Sequence, residues 1–254
     1  MAKIDKSQYT KKEWQKIRDQ RRADKAARRN AEHIANLQEQ KEEKVNHNIS
    51  KEIIDRPPKK DVAFVLGNGT SRSDIRLNPL RNYGLIYGCN AIYRDFDPDY
   101  LVAVDTKMVL EINKYHYQHK VETWTNPNKA YAKMTGFNFF NPSKGWSSGP
   151  TALWLASETG YKTIYILGFD YKGTGENNLY LNNIYAGTFN YKNKTDKAIY
   201  FGNWLKQTVV TMQKHSNIRY IRVIEDNGFI PKELVHIPNL EHITVAEFKK
   251  IYND

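Results

Sequence analysis

A short stretch of glycine, asparagine and hydroxyl residues is the most informative chemical feature of this chain. It follows the apolar, β-branched run Val62–Leu66, which is typical of a buried strand. A strand that ends in such a turn offers backbone N–H groups and small polar side chains to a phosphate or a ribose. An ordinary tight turn is the alternative, because the stretch is neither a GxGxxG fingerprint nor a Walker A loop. The candidate ligand-binding residues are Gly67, Asn68, Gly69, Thr70 and Ser71.

Further polar residues stand at the ends of other predicted strands. Asn90 follows one strand, Asp105 ends the next, and Asp170 follows a third. The carboxyl ends of parallel strands meet at one edge of a sheet, so these side chains are expected to share a crevice.

A second anion site is expected where Ser147, Ser148 and Gly149 precede Pro150. Proline suits the first helical turn, and Ser148 is the predicted N-cap. The free N–H groups of a helix start attract phosphate or carboxylate groups. Simple capping of the helix is the alternative.

Four segments of the chain follow one another in a characteristic order: Gly67–Ser71, Cys89–Tyr93, Ser148-Gly149 with Ala152–Ala156, and Gly160–Asp170. Together they resemble the bacterial sialyltransferases, which use CMP-sialic acid, and related α/β proteins. The resemblance covers residues 61–254. It implies one nucleotide-binding domain of modified Rossmann type, with a lid over residues 171–195, that transfers a sugar from a nucleotide donor without a metal.

The same resemblance assigns roles to individual residues. Asn68 and Asn90 are implied to contact the nucleotide sugar and its phosphate, and Ser148 with Gly149 to hold the donor. Tyr180 and Tyr185 of the lid are implied to donate hydrogen bonds to the departing phosphate, where charge grows during transfer. Aromatic packing within the lid is the alternative role for these two tyrosines.

Departures from the family pattern fall in its catalytic positions. Thr188 stands where the family has a general-base histidine, and an unassisted hydroxyl does not accept a proton near pH 7. Gly145 stands in place of an arginine, and Asp105 in place of an asparagine. The resemblance therefore extends to the nucleotide pocket more than to the catalytic residues.

Three carboxylates are candidates for the missing base. We prefer Asp105, although binding of a ribose hydroxyl or capping of the next helix is an equally good role for it. For Asp170 we favour capping or support of the lid, and Glu176 lies within the lid itself. His116 and His119 lack a third ligand for zinc, so no metal site is expected.

The charge of the chain is concentrated near its start. The net charge of the whole chain is +11. Residues 1–31 hold eleven Lys/Arg against four Asp/Glu and so account for +7 of it. A basic arm of this kind favours a polyanion, so residues 1–44 are predicted to bind nucleic acid, with a solvated tail as the alternative.

Other features of the composition bound the class of protein. No run of 18 apolar residues occurs, so no membrane span is predicted. The single cysteine, Cys89, excludes an intramolecular disulfide framework and is expected to be a small buried residue. Cytoplasm of a bacterial host or of a phage-infected cell is the expected location.

Short apolar strands alternate with helices along the chain, which predicts an α/β fold with a mostly parallel sheet. Residues 1–60 are expected to form a basic, partly helical extension with a Thr10–Glu13 capping box and a proline-containing linker. Residues 61–254 are expected to form the nucleotide-binding domain. Its predicted strands are Val62–Leu66, Gly84–Cys89, Tyr100–Asp105, Val121–Thr125, Phe137–Phe140, Thr163–Leu167 and Tyr220–Ile224, the last of the sheet. Its predicted helices are Lys107–Tyr117, Pro150–Thr159, Asp196–Lys214 and Val245–Tyr252.

Two functions follow from these patterns. The first is a glycosyltransferase that passes the sugar of a nucleotide sugar, its co-substrate, to a nucleic-acid-related or other polyanionic acceptor. The second is an inactive nucleotide-pocket protein that serves as a nucleic-acid-binding or assembly module. A Rossmann oxidoreductase is disfavoured, because the dinucleotide fingerprint is missing. The sequence leaves the oligomeric state open.

Overall fold

The structure, a computed structural model, describes residues 61–252. The predicted basic helix, its capping box and the linker lie outside these residues. No helix within the described range is long and apolar enough to cross a membrane.

Eight parallel strands form a single sheet in the order β5-β4-β3-β2-β1-β6-β7-β8. The order runs outward from β1 to β5 on one side and from β6 to β8 on the other, as in a Rossmann-like fold. The predicted α/β class with a mostly parallel sheet is therefore confirmed. The strands are β1 Val62–Leu66, β2 Leu85–Cys89, β3 Tyr100–Val102, β4 Glu122–Thr125, β5 Phe137–Phe139, β6 Thr163–Leu167, β7 Arg219–Ile224 and β8 Leu240–Thr244.

Helices cover both faces of this sheet, which explains why its central strands are apolar throughout. In β1, Phe64 and Leu66 belong to the core on one face, and Ala63 and Val65 belong to the core on the other. All four are fully buried. The helices are α1 Thr106–Lys114, α2 Ser148–Thr159, α3 Gly202–Lys214 and α4 Val245–Tyr252.

The first face is packed by α1 and α4, and the second by α2 and α3. Helix α2 ends at Gly160, whose φ of 88° is the left-handed conformation expected of a C-terminal glycine. Only three residues separate the end of α2 from β6, which pairs with β1.

Strand β3 ends at Val102, three residues before the predicted Asp105, and α1 ends at Lys114, three residues before the predicted Tyr117. Two larger departures concern β8 and α3. Strand β8 was missed, because it is a partly exposed edge strand whose Glu241 and His242 interrupt the apolar pattern. Helix α3 begins at Gly202 and not at Asp196, because residues 196–198 are hydrogen-bonded to the lid. Ala198 N–H donates to Leu179 at 2.8 Å, and Leu181 N–H donates to Asp196 at 3.0 Å.

His242 in β8 should make the stability of the fold depend on pH. Neither ring nitrogen has a hydrogen-bond partner among the described residues. Burial, assisted by Arg222, lowers its pKa to about 4. In the unfolded chain a histidine takes up its proton near pH 6.5, so the unfolded state binds more protons between pH 6.5 and 4. The contribution of the neutral His242 to the free energy of unfolding is therefore complete above pH 6.5 and is lost as the pH falls from 6.5 to 4.

The expected loss is at most about 2 kcal/mol, because the ring is only partly buried. Urea unfolding at pH 7 and pH 5 measures it. His242→Gln should remove this part of the pH dependence, whereas His236→Gln, at an exposed position, should keep it. An unchanged pH dependence in His242→Gln would contradict the prediction.

Candidate functional site

A cavity of about 600 Å³ lies at the carboxyl ends of β1, β2, β3 and β6. This is the edge where the strand order reverses, between β1 and β6. Ligands of open α/β sheets bind at such a switch point. The predicted site residues that line the cavity are Gly67, Asn68, Gly69, Asn90, Asp105, Ser147, Ser148, Gly149 and Asp170.

The turn after β1 needs its glycines because it lies against the turn after β6. A Cβ at Gly67 would collide with the carbonyl oxygen of Gly168, and one at Gly69 with the carboxylate of Asp170. Gly67 N–H donates to Leu167 at 2.8 Å, and Gly69 N–H donates to Gly168 at 2.9 Å. These two N–H groups therefore join the two turns and do not point to a ligand.

Thr70 and Ser71 are likewise bound within the protein and do not line the cavity. Thr70 donates its N–H and its hydroxyl to Asn182 Oδ1 at 2.8 and 2.9 Å. Ser71 donates its N–H to Asp170 Oδ2 at 3.1 Å, and its hydroxyl to Asp170 Oδ1. The expectation that the N–H groups of this turn converge on a phosphate thus differs from the structure, where protein acceptors occupy most of them.

Asp170 is a buried carboxylate that fixes the turn. Its own carbonyl accepts a hydrogen bond from Arg222 Nη2 at 3.2 Å, and Arg222 Nε donates to Phe169 at 2.8 Å. Arg222 is buried in β7 and also contacts the ring of Tyr171. Asp170 therefore holds the turn after β1, whereas the sequence analysis had favoured capping or support of the lid for it.

Three asparagines carry polar atoms that are buried without a partner in the described structure: Asn68 Oδ1, Asn90 Oδ1 and Asn182 Nδ2. All three residues line the cavity. Asn90 takes a left-handed φ of 53° at the end of β2, a conformation that asparagine tolerates better than most residues. Buried polar groups are normally hydrogen-bonded, so these unpaired atoms mark the three asparagines as candidates for contact with a ligand.

Residues at the start of α2 also line the cavity. Ser147 occupies the N-cap position but makes no side-chain capping bond, so the prediction of Ser148 as N-cap was wrong by one residue. Ser148 Oγ instead accepts a hydrogen bond from Val104 N–H at 3.1 Å, which joins the helix to the segment after β3. The N–H groups of Ser148 and Gly149 lie in the first turn, where no intrahelical acceptor exists.

Asp105 lies where two cavities meet. It lines the main cavity and also a smaller one of about 310 Å³ at the start of α1. It occupies the N-cap position of α1, yet its side chain makes no capping hydrogen bond. The carboxylate is accessible to solvent, and the surrounding protein walls raise its pKa by partial burial. A carboxylate of raised pKa is suited to proton transfer.

The lid residues singled out from the sequence lie outside the main cavity. Tyr180 is 43% exposed, whereas Tyr185 is buried and donates to Asp95 at 2.7 Å. Thr188 donates to the carbonyl of Tyr185 at 2.7 Å and accepts from Arg94 at 2.8 Å. Glu176 is exposed in a 3-10 turn.

The sequence analysis missed both lid tyrosines that line the cavity: Tyr171, whose hydroxyl pairs with Thr208 Oγ1 at 2.6 Å, and Tyr191. The Tyr191 hydroxyl accepts a long hydrogen bond of 3.4 Å from Asn68 Nδ2. Burial raises the pKa of Tyr191, so its phenol stays protonated at neutral pH. The asparagine-rich composition of the lid was the available signal, since Asn182 and Asn190 also line the cavity.

Glu111 of α1 anchors this part of the lid. Its carboxylate is buried and accepts hydrogen bonds from Arg94 Nε at 2.8 Å, Arg94 Nη2 at 2.7 Å and Tyr93 at 2.5 Å. Asn190 Nδ2 donates to the same carboxylate at 2.6 Å. Arg94 also donates to the carbonyl of Phe189 at 2.8 Å. Because Asn190 precedes Tyr191, this cluster sets the position of the cavity wall.

Cys89 and the pair of histidines are the remaining chemical candidates. Cys89 lines the cavity, but burial raises the pKa of its thiol to about 12. The rings of His116 and His119 lie 6.3 Å apart, and residues 61–252 hold no group of three side chains that could bind a metal.

The described residues thus form a Rossmann-like α/β domain with a ligand-sized cavity at its switch point. Comparison of the chain with protein-family models, curated proteins and solved structures found no match.

Proposed function

We propose that this protein is a glycosyltransferase that takes a nucleotide sugar as its donor and belongs to the sialyltransferase-like variants of the Rossmann fold. The cavity carries the proposal, because it lies at the switch point and is lined by Asn68, Asn90 and Asn182, each of which has one buried amide atom without a partner. Amides that both donate and accept hydrogen bonds suit the hydroxyls of a ribose and of a sugar.

The phosphate of the donor would face the start of α2. The N–H groups of Ser148 and Gly149 and the positive end of the helix dipole attract an anion there. Tyr191, and not Tyr180 or Tyr185, is the proposed lid donor to the leaving phosphate, because it lines the cavity, whereas the Tyr171 hydroxyl is paired with Thr208. Such a donor stabilises the charge that develops on the phosphate in the transition state.

Asp105 is the proposed general base. It would accept the proton of an acceptor hydroxyl while that oxygen forms a bond to the anomeric carbon of the donor. The bond from this carbon to the phosphate oxygen breaks, and its electron pair leaves with the phosphate. The absence of a metal requirement is proposed from the family resemblance alone.

A thermal-shift screen of the full chain against CMP, UDP, GDP and their sugars tests donor binding. A ligand at a hundred times its dissociation constant stabilises the folded state by about 2.7 kcal/mol. Asn68→Ala should weaken binding about tenfold, because one hydrogen bond in a closed site is lost. Asn78→Ala, at an exposed position outside the cavity, serves as the control. No stabilisation by any of these nucleotides would overturn the proposal.

An inactive nucleotide-pocket protein is the second candidate function. The observation in its favour is that Thr188, at the position of the family base, is held by Arg94 outside the cavity. Hydrolysis or transfer of the bound nucleotide sugar distinguishes the two. The glycosyltransferase is supported if the wild type turns over the nucleotide sugar and Asp105→Asn abolishes this turnover while it still binds the donor. Donor binding without turnover supports the binding module.

A polyanionic, nucleic-acid-related acceptor is the further part of the proposal. It is motivated by the excess of seven positive charges in residues 1–31. A bacterial or phage-infected cytoplasm is the setting in which such an acceptor and a nucleotide sugar occur together.

A further inference from the structure

An aromatic and basic surface adjoins the cavity on the side of α2 and α3. We call it the aromatic–lysine rim. Three of its aromatic side chains line the cavity and are themselves only partly buried. Neighbouring Tyr200 is 76% exposed and stacks on one of them, Phe201, with ring centroids 6.4 Å apart. The rim consists of Lys144, Trp146, Trp154, Phe201, Trp204 and Lys214.

Two ammonium groups of the rim lie over one indole. Lys144 Nζ is 3.3 Å and Lys214 Nζ is 4.0 Å from the ring centroid of Trp154. Trp146 packs edge-to-face on Trp154 at 5.5 Å. The indole attracts both cations, so it holds both at one ring despite their mutual repulsion.

The charge of this surface is only partly compensated. Lys214 forms an ion pair with Glu158 at 2.9 Å. Within the part of the chain that the structure describes, Lys144 forms no ion pair with a carboxylate. Burial and the neighbouring Lys214 lower the pKa of Lys144. An anionic group bound here would relieve the repulsion between the two lysines.

We propose that the aromatic–lysine rim binds a single-stranded nucleic acid, with phosphates at Lys144 and Lys214 and bases stacked on the partly buried rings of Trp146, Phe201 and Trp204. A single strand presents the faces of its bases, which a duplex hides, and stacking on aromatic side chains tolerates any sequence. The further idea that this nucleic acid is the acceptor of the sugar rests on the proposed function. Binding of the nucleic acid does not depend on the proposed function, because the rim residues are distinct from the asparagines of the donor cavity.

Fluorescence anisotropy of a fluorescein-labelled oligo-dT strand with the full chain tests the proposal. The Lys144→Ala/Lys214→Ala double variant should weaken binding and reduce the slope of log affinity against log salt by about 1.4, the value for two lost phosphate contacts. Trp146→Ala should weaken binding about tenfold through lost stacking. The matched control is Lys249→Ala/Lys250→Ala in α4, on the other face of the sheet.

Two results would overturn the rim as a strand-binding surface. One is wild-type affinity and salt slope in the Lys144→Ala/Lys214→Ala variant, since binding would then lie elsewhere in the chain. The other is inorganic polyphosphate that displaces the strand as well as unlabelled oligo-dT does, since the bases would then add nothing. Nucleotide binding that Asn68→Ala weakens, measured in parallel, reports on the proposed function separately.

Discussion

Glu111→Ala is expected to lower the free energy of unfolding by about 3 kcal/mol. Breaking a buried ion pair costs about 3–5 kcal/mol, because the remaining charge is left without a partner. The Arg94 side chain is 22% exposed and can recover some hydration, which places the loss at the lower end. The measurement is urea unfolding at neutral pH. The Asn190 amide would also lose its acceptor, so hydrogen exchange of residues 188–191 should become faster.

Glu122→Ala is the matched control for this prediction. Glu122 is an exposed glutamate in β4 that accepts a hydrogen bond from Trp124 at 2.8 Å, and its removal should cost less than about 1 kcal/mol. Glu111→Gln keeps the shape of the side chain and should fall between the two variants. Equal losses in Glu111→Ala and Glu122→Ala would refute the anchoring role of Glu111.

Asp170→Ala is expected to lower the free energy of unfolding by about 2–4 kcal/mol. It leaves the buried N–H and hydroxyl of Ser71 without an acceptor, and each buried unsatisfied group costs about 1–3 kcal/mol. Because the turn after β1 is no longer held, Asn68 should lose its position and the stabilisation by a bound nucleotide should fall as well. Chemical unfolding with and without nucleotide measures both effects.

Asp74→Ala provides the comparison within the same segment, since Asp74 is exposed three residues after Ser71. It should change stability by less than about 0.5 kcal/mol. An Asp170→Ala variant as stable as Asp74→Ala would show that Ser71 finds another acceptor, contrary to the prediction.

The central sheet could be predicted from the sequence because burial on both faces leaves an apolar signature. Strands β1 and β6 agree with the predicted bounds, since every residue of each from the second onward is buried. The place of the cavity also followed, because parallel strands must end at a common edge. Asn68, Asn90, Asp105 and Gly149 accordingly line it.

The lid could not be predicted in the same way. Its path is set by hydrogen bonds between residues far apart in the chain, such as Ile184 N–H to the Asn68 carbonyl at 2.8 Å. Such contacts follow no sequence period. The tyrosines chosen from the family pattern therefore lie outside the cavity, whereas Tyr191 lies inside it. Strand β8 was missed for a related reason, since a half-exposed edge needs no apolar alternation.

The pairing of β1 with β6 has a consequence for synthesis of the protein on the ribosome. Val62–Leu66 pairs with Thr163–Leu167, which is made about a hundred residues later, so the nascent chain carries β1 with one side unpaired until then. Unpaired apolar strand edges are the features that make partly folded chains aggregate and that chaperones cover. Chains truncated before residue 163 would also lack Asp170 and with it one wall of the cavity. The cavity can therefore be completed only after β6 and the turn that follows it have been made.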